Sequence, residues 1–238
     1  MHALQALVFA RALGFCSRAP GLSHPSVPVP LRAALAFVLA FALAGTPGVL
    51  PPADAIGFLG SLVLEFAIGA AIGFGASVLY DGAYAGGRAL DDYVGIRVMS
   101  PSAAIYLPSG YGRLYAIAFT GGFFVFGGYR VAIIALVHSF AAFPPGATLA
   151  TTAWTHYAQA LPQSVVQAAI LAAGPAVAAG FAVQIAFGIV MRVVPRAGSM
   201  SLGFPLVFAA VLAVCAATIP VLSHLAAHPW LLAPESDR

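Results

Sequence analysis

The sequence predicts an all-α, polytopic membrane protein, and its charge content and apolar runs carry that prediction. Of 238 residues, 61% are hydrophobic and only 7% are charged, against about 25% in a soluble domain. So little charge cannot solvate a water-soluble globule, which excludes a compact soluble enzyme. Disorder is excluded too, because its signature is low hydrophobicity with high net charge. Apolar runs of the ~20 residues that a spanning helix needs recur along the chain.

About six apolar helical segments are expected in order. The opening stretch, 2–16, is short and pairs as a hairpin with 31–50, which has Arg32 at its entrance. No basic region precedes it, Arg11 interrupts it, and bulky Phe15 before Cys16 spoils a lipoprotein cleavage site, so it is expected to stay in the mature chain. Segment 56–80 carries Glu65. A polar connection, 81–113, follows. Segment 114–143 has Arg130 as its only charge. From 131 to 191 there is no Asp, Glu, Lys or Arg, and Pro144, Pro145, Gly146 and the threonines up to Thr155 turn the chain. Segments 162–191 and 202–227 complete the set. The whole chain, 1–238, reads as a single membrane domain.

All ten basic residues are arginine, and their placement gives an orientation. Arg18 and Arg32 flank the first connection, Arg88, Arg97 and Arg113 lie in the third, and Arg192 and Arg196 in the fifth. The connections 46–55 and 144–161 have none. The Arg-bearing connections are therefore expected on the cytoplasmic side and both termini on the other. No basic cluster of the kind nucleic acid requires is present. Cys16 and Cys215 have no metal spacing and read as buried, inert thiols.

Small residues recur at four-residue steps, which stay on one helix face. Gly69, Gly73 and Ser77 form one set, and Gly82 and Gly86 repeat the step. Ala168, Ala172, Ala176, Gly180, Gln184 and Gly188 form a longer stripe. Such faces let apolar helices approach closely in lipid. Pro162, Pro175, Pro205 and Pro220 bend or break the last two segments, and such breaks survive where protein or a cavity satisfies the freed carbonyls.

Motifs of hydrolase, nucleotide or zinc chemistry are missing from the sequence. His224 and His228 read as a water-facing pair rather than a metal site. The informative stretch is 65–111, where Glu65, Asp81, Arg88, Asp91, Asp92 and Arg97 gather. Charges at membrane depth face a partner or a cavity. The set is expected to be a buried polar cluster, which either neutralises charge within an assembly or lines a conduit. Arg88 and Asp92, four apart, can pair on one helix face.

At this stretch the chain resembles the FliR family of flagellar export-gate proteins and its injectisome counterparts in type III secretion. The opening RALGFCSRAPGLSHPSVPVPLRAALAF (11–37) is similar to the family's arginine- and proline-bearing hairpin. EFAIGAAIGF (65–74), YAGGRALDDYVGIRVMSP (84–101) and LYAIAFTGGFFVFGGYRVAIIALVHSF (114–140) follow in the family's order. FGIVMRVVPRAGSMSLGFPLVFAAVL (187–212) closes it, so the resemblance covers about 11–220. The chain differs at Ser100, Tyr129, Arg196, Gly198 and Leu206, where the family more often has Asp, His, Gln, Asn and Lys.

The resemblance implies a structural subunit of a type III protein export gate in the bacterial inner membrane, multi-pass and associated with the flagellar basal body or injectisome base. It implies no catalytic residue, cofactor or metal. One copy joins about five copies of a larger gate subunit and about four of a small two-helix subunit, and a switch subunit docks on the complex. Unfolded substrates pass through the pore. It also implies a plug in the loop 99–112, where Met99, Pro101, Ile105, Tyr106, Leu107, Pro108, Gly110, Tyr111 and Gly112 combine helix breakers with bulky groups able to exclude water. Two readings from other classes stand beside it. A small-solute secondary transporter requires internal repeats around a midplane site, and no convincing repeat is present. An intramembrane hydrolase requires a facing Ser–His or Asp–Asp pair; Ser77, Ser139 and His138 are present without a catalytic context.

Overall fold

The computed structural model describes residues 2–23, 27–43, 45, 48–49, 54–95, 110–146, 151–193 and 203–225. They form seven helices: α1 (His2–Arg18), α2 (Val29–Ala42), α3 (Ala55–Val94), α4 (Gly110–Val125), α5 (Gly128–Ala142), α6 (Thr151–Val193) and α7 (Gly203–Leu225). The described residues contain no strand.

The helix bounds depart from the expected segments, each for a local reason. α2 has 14 residues where twenty were expected. Pro30 enters its first turn, where a missing N–H costs nothing. Gly45, at φ +125°, and Pro47 follow its end and cannot continue it. α2 is therefore about 21 Å long, short of a hydrocarbon core of about 30 Å. α3 runs 40 residues, straight through the first half of the expected connection 81–113. Asp54 Oδ2 accepts the Gly57 N–H at 2.7 Å at its start, and Gly95, at φ +82°, follows its end. Segment 114–143 is two helices, bent by 71° between α4 and α5. Gly127 makes that bend with φ +84°, a conformation open to glycine. α6 starts at Thr151, inside the expected turn, and its 43 residues include Pro162 and Pro175. Among the described residues, three helices are able by length and composition to cross a membrane, or four if the bent α4–α5 pair counts as one span.

The described residues divide into two compact units: those within Met1–Val78 and Phe123–Pro162 in unit 1, and those within 79–122 and 163–225 in unit 2. In unit 1, α1 and α2 pack as the expected hairpin, with Phe9 edge-on to Phe37 at 6.4 Å. α1 is the interior helix, burying Leu7, Val8, Ala12, Phe15 and Cys16. It runs parallel to the first half of α3. Gly69 faces the backbone of Arg11, and a Cβ on Gly73 would stand 2.6 Å from the Phe15 carbonyl. Gly69 and Gly73 thus lie directly against the backbone of α1. Val49 N–H donates to Pro145 O at 2.8 Å, and Leu4 of α1 lies beside Gly48. Leu4 of α1 and residues 48–49 and 145–146 of the two Arg-free connections therefore lie together in unit 1. A Cys at Val49 is expected to react with an impermeant thiol reagent from the non-cytoplasmic face, and one at Arg88 only from the cytoplasmic face. The reverse labelling pattern in membrane vesicles of known sidedness would invert the topology.

Unit 2 packs the second half of α3, most of α4, and α6 with α7 around Leu90, Tyr111, Tyr115, Ala172, Ala176, Val211 and Cys215. Gly82 meets Ala168 of α6, and a Cβ on Gly86 would lie 2.7 Å from the Ala169 carbonyl. The α6 stripe is buried at Ala168, Ala172, Ala176 and Gly180, then becomes exposed at Gln184 and Gly188. No described atom lies within 4 Å of a Cβ built on Gly188, so no packing partner stands there among the described residues. At Gly180 a Cβ would stand 2.8 Å from Tyr93 Cε1 and 3.0 Å from Val211 Cγ2. Gly180→Leu should cost unit 2 about 1–3 kcal/mol by overpacking, while Gly188→Leu leaves its stability unchanged. Equal thermal stability of both variants and the parent in detergent would remove Gly180 from the packing face.

Candidate functional site

Among the described residues, the charges expected to cluster differ in unit and in burial. Glu65 belongs to unit 1 and Asp81, Arg88, Asp91 and Asp92 to unit 2, while Arg97 lies outside the described residues. On α3 the residues at 82, 83, 86, 87, 90, 91 and 94 are buried, which is the spacing of one helix face. Asp91 falls on that face. Arg88 and Asp92 lie off it and are exposed, and Asp81 is half-buried. Among the described residues, only Glu65 and Asp91 of this set are buried, and each anchors a centre of its own.

Around Glu65 in unit 1, Oε2 accepts Arg11 Nε–H at 2.6 Å, and Oε1 accepts the Gly146 N–H at 3.0 Å. Arg11 is wholly buried. Its Nη1 donates to Ser139 O at 2.9 Å and Oγ at 3.3 Å, and its Nη2 to Phe143 O at 2.9 Å. The guanidinium carbon lies 4.4 Å from the centre of the Phe140 ring. A buried ion pair survives only when its spare donors and acceptors are bonded in this way. Arg11 enters the sequence reading as an interruption of an apolar stretch and as the first residue of the hairpin motif, with no partner assigned to it. A charge inside an apolar helix is the signal that identifies it.

The Asp91 centre holds the ends of two helices together in unit 2. Asp91 Oδ1 accepts the Tyr111 N–H at 3.0 Å, so a carboxylate from α3 caps the N-terminus of α4. A Cβ on Gly87 would lie 2.5 Å from Gly112 Cα, which brings the two backbones into contact there. Gly110, Tyr111 and Gly112, expected in a loop, thus form the first turn of α4. Helix formation is possible because the breakers Pro101 and Pro108 precede them, and the cap supplies an acceptor for an end N–H. The remaining expected plug residues, Met99, Pro101, Ile105, Tyr106, Leu107 and Pro108, lie outside the described residues.

Two tyrosines of α4 lock unit 2 further. Tyr111 Oη donates to Phe208 O of α7 at 3.3 Å. Tyr115 Oη lies 3.1 Å from Ala172 O and from Cys215 Sγ, and 3.3 Å from Thr218 Oγ1. Ala172 precedes Pro175 by three residues, next to the Leu171 carbonyl that the proline leaves without its usual donor. Tyr115 thus places its hydroxyl one residue from that carbonyl, while α6 itself runs on as continuous helix. Cys215 is wholly buried, as is Cys16. Ser77 and Ser139 donate to the helix carbonyls of Phe74 and Leu136, and His138 is exposed.

A family model described as bacterial export proteins, family 1, matches residues 3–231. The chain belongs to that family. This export protein is a membrane component of a type III export apparatus. No curated protein is matched by it. The match reaches all seven described helices, so the Arg11–Glu65 and Asp91–Tyr111 centres both lie within the matched region.

Proposed function

We propose that this export protein is the FliR-type structural subunit of the flagellar export gate in the bacterial inner membrane, where it forms part of the pore for unfolded substrates. The match over residues 3–231 carries the reading, and the order of short motifs supports the finer assignment. Gly203-Phe204-Pro205 favours the flagellar system over the injectisome. The partners are the larger gate subunit, the small two-helix subunit and the switch subunit, with about five and about four copies of the first two as the family resemblance implies. Large apolar side chains exposed on this chain alone, among them Phe37, Phe41, Phe181 and Ile189, support burial against lipid and those partners.

The segment 99–112 is the seal of the pore in this reading. Its far end, Gly110–Gly112, begins α4 under the Asp91 cap, and its bulky residues Ile105, Tyr106 and Leu107 precede that anchor in sequence. A fixed anchor suits a plug, because a seal must return to the same place after each substrate.

Co-purification in mild detergent tests the assignment. A tagged chain should bring down the larger and the small gate subunits in a stable complex. Recovery of the chain alone, from cells that make all of them, would sink the gate reading. Deleting its gene should abolish flagella and leave effector secretion intact; the opposite loss would assign it to an injectisome.

A further inference from the structure

Arg11 does more than neutralise Glu65. Its acceptors lie on two other segments: Glu65 on α3, and Ser139 and Phe143 at the end of α5. The carbonyls in the last turn of a helix lack intrahelical donors, and a cation there meets the negative end of the dipole. Arg11 therefore caps α5 from another helix. The turn after α5 is held from the same centre, because Glu65 accepts the Gly146 N–H. That turn in turn holds the segment after α2, since Pro145 O accepts the Val49 N–H. A Cβ on Gly146 would lie 2.5 Å from the Val49 carbonyl, so the two pieces of backbone are in contact.

We propose that Arg11 is a positioning residue: by seating α1 against Glu65 it caps α5 and sets the place of the turn 143–146 and of the segment 48–49 packed on it. The N-terminal hairpin thereby decides how the chain leaves α5. The rigid guanidinium fork is what this requires. It holds a carboxylate with one N–H and two backbone carbonyls with others, whereas an ammonium is a compact point charge without that fork.

Arg11→Lys separates positioning from simple pairing. Lysine keeps the charge opposite Glu65 but cannot span to the Ser139 and Phe143 carbonyls together. The readout is amide hydrogen exchange on the full chain, purified in detergent with whatever gate subunits accompany it. Exchange at Val49 and Gly146 should accelerate about tenfold, the equivalent of one weakened buried hydrogen bond, while the α1 amides keep their protection. Unchanged exchange at Val49 and Gly146 would overturn the proposal. So would a uniform acceleration across unit 1, which marks a merely structural arginine. If Arg11→Lys fails to fold, Glu65→Gln carries the test. It removes one acceptor from the centre and must give the same local acceleration at Gly146 and Val49, with uniform or absent acceleration again overturning the proposal.

Discussion

Glu65→Ala should be the most destabilising single substitution in unit 1. It leaves Arg11 buried with no counter-charge, and removing one partner of a buried pair costs about 3–5 kcal/mol. The remaining bonds to Ser139, Phe143 and the Phe140 ring place the expected cost toward the lower end. Gly146 also loses its acceptor. Little folded protein should then be recovered from membranes, and what remains should unfold at a lower temperature. Glu65→Gln keeps an acceptor in place and should cost markedly less. The double variant Arg11→Met/Glu65→Leu removes both charges and should recover part of the loss, the remainder reflecting the Gly146 N–H and the Ser139 and Phe143 carbonyls that lose their partners. A Glu65→Ala chain that unfolds within about 0.5 kcal/mol of the parent would show that the pair contributes nothing.

Deleting residues 103–107 should leave the gate assembled but leaky to small ions. The deletion removes the bulky Ile105, Tyr106 and Leu107 and keeps Gly110–Gly112, so the Asp91 cap on α4 survives. A constriction lined by large apolar groups closes by excluding water, and its removal lets the passage fill. Cells carrying the deleted gate should conduct ions across the inner membrane and lose growth under ionic stress. Co-purification with the gate subunits should be unchanged. An assembled, deleted gate as tight as the parent would move the seal elsewhere. Asp91→Ala, which untethers the start of α4 without shortening the chain, should give a smaller leak in the same assay.

Much of the fold was legible in the sequence because hydropathy and helix breakers act locally. The all-α class and the α1–α2 hairpin follow from apolar runs and from prolines and glycines at their ends. The bend at Gly127 was not legible. Glycine allows a positive φ but does not demand it, and 25 glycines give no hint which one turns. α3 was read too short because its polar residues resemble a connection. On a helix with one packed face, Arg88 and Asp92 remain exposed without ending it.

Site residues divide along the same line. Glu65 and Asp91 stand out in sequence because a charge within an apolar run demands a partner. The partner's identity was hidden: Arg11 lies 54 residues from Glu65, and Tyr111 lies 20 from Asp91. No local pattern encodes pairs at those separations. Composition and residue order by themselves determined that this chain is a helical membrane protein with a few costly buried charges. Only the tertiary structure decided that those charges form two separate centres, one capping α5 and one capping α4. The physical reason is that a buried charge is satisfied by whatever donor or acceptor packing brings within about 3 Å, and that choice is made between helices, not along them.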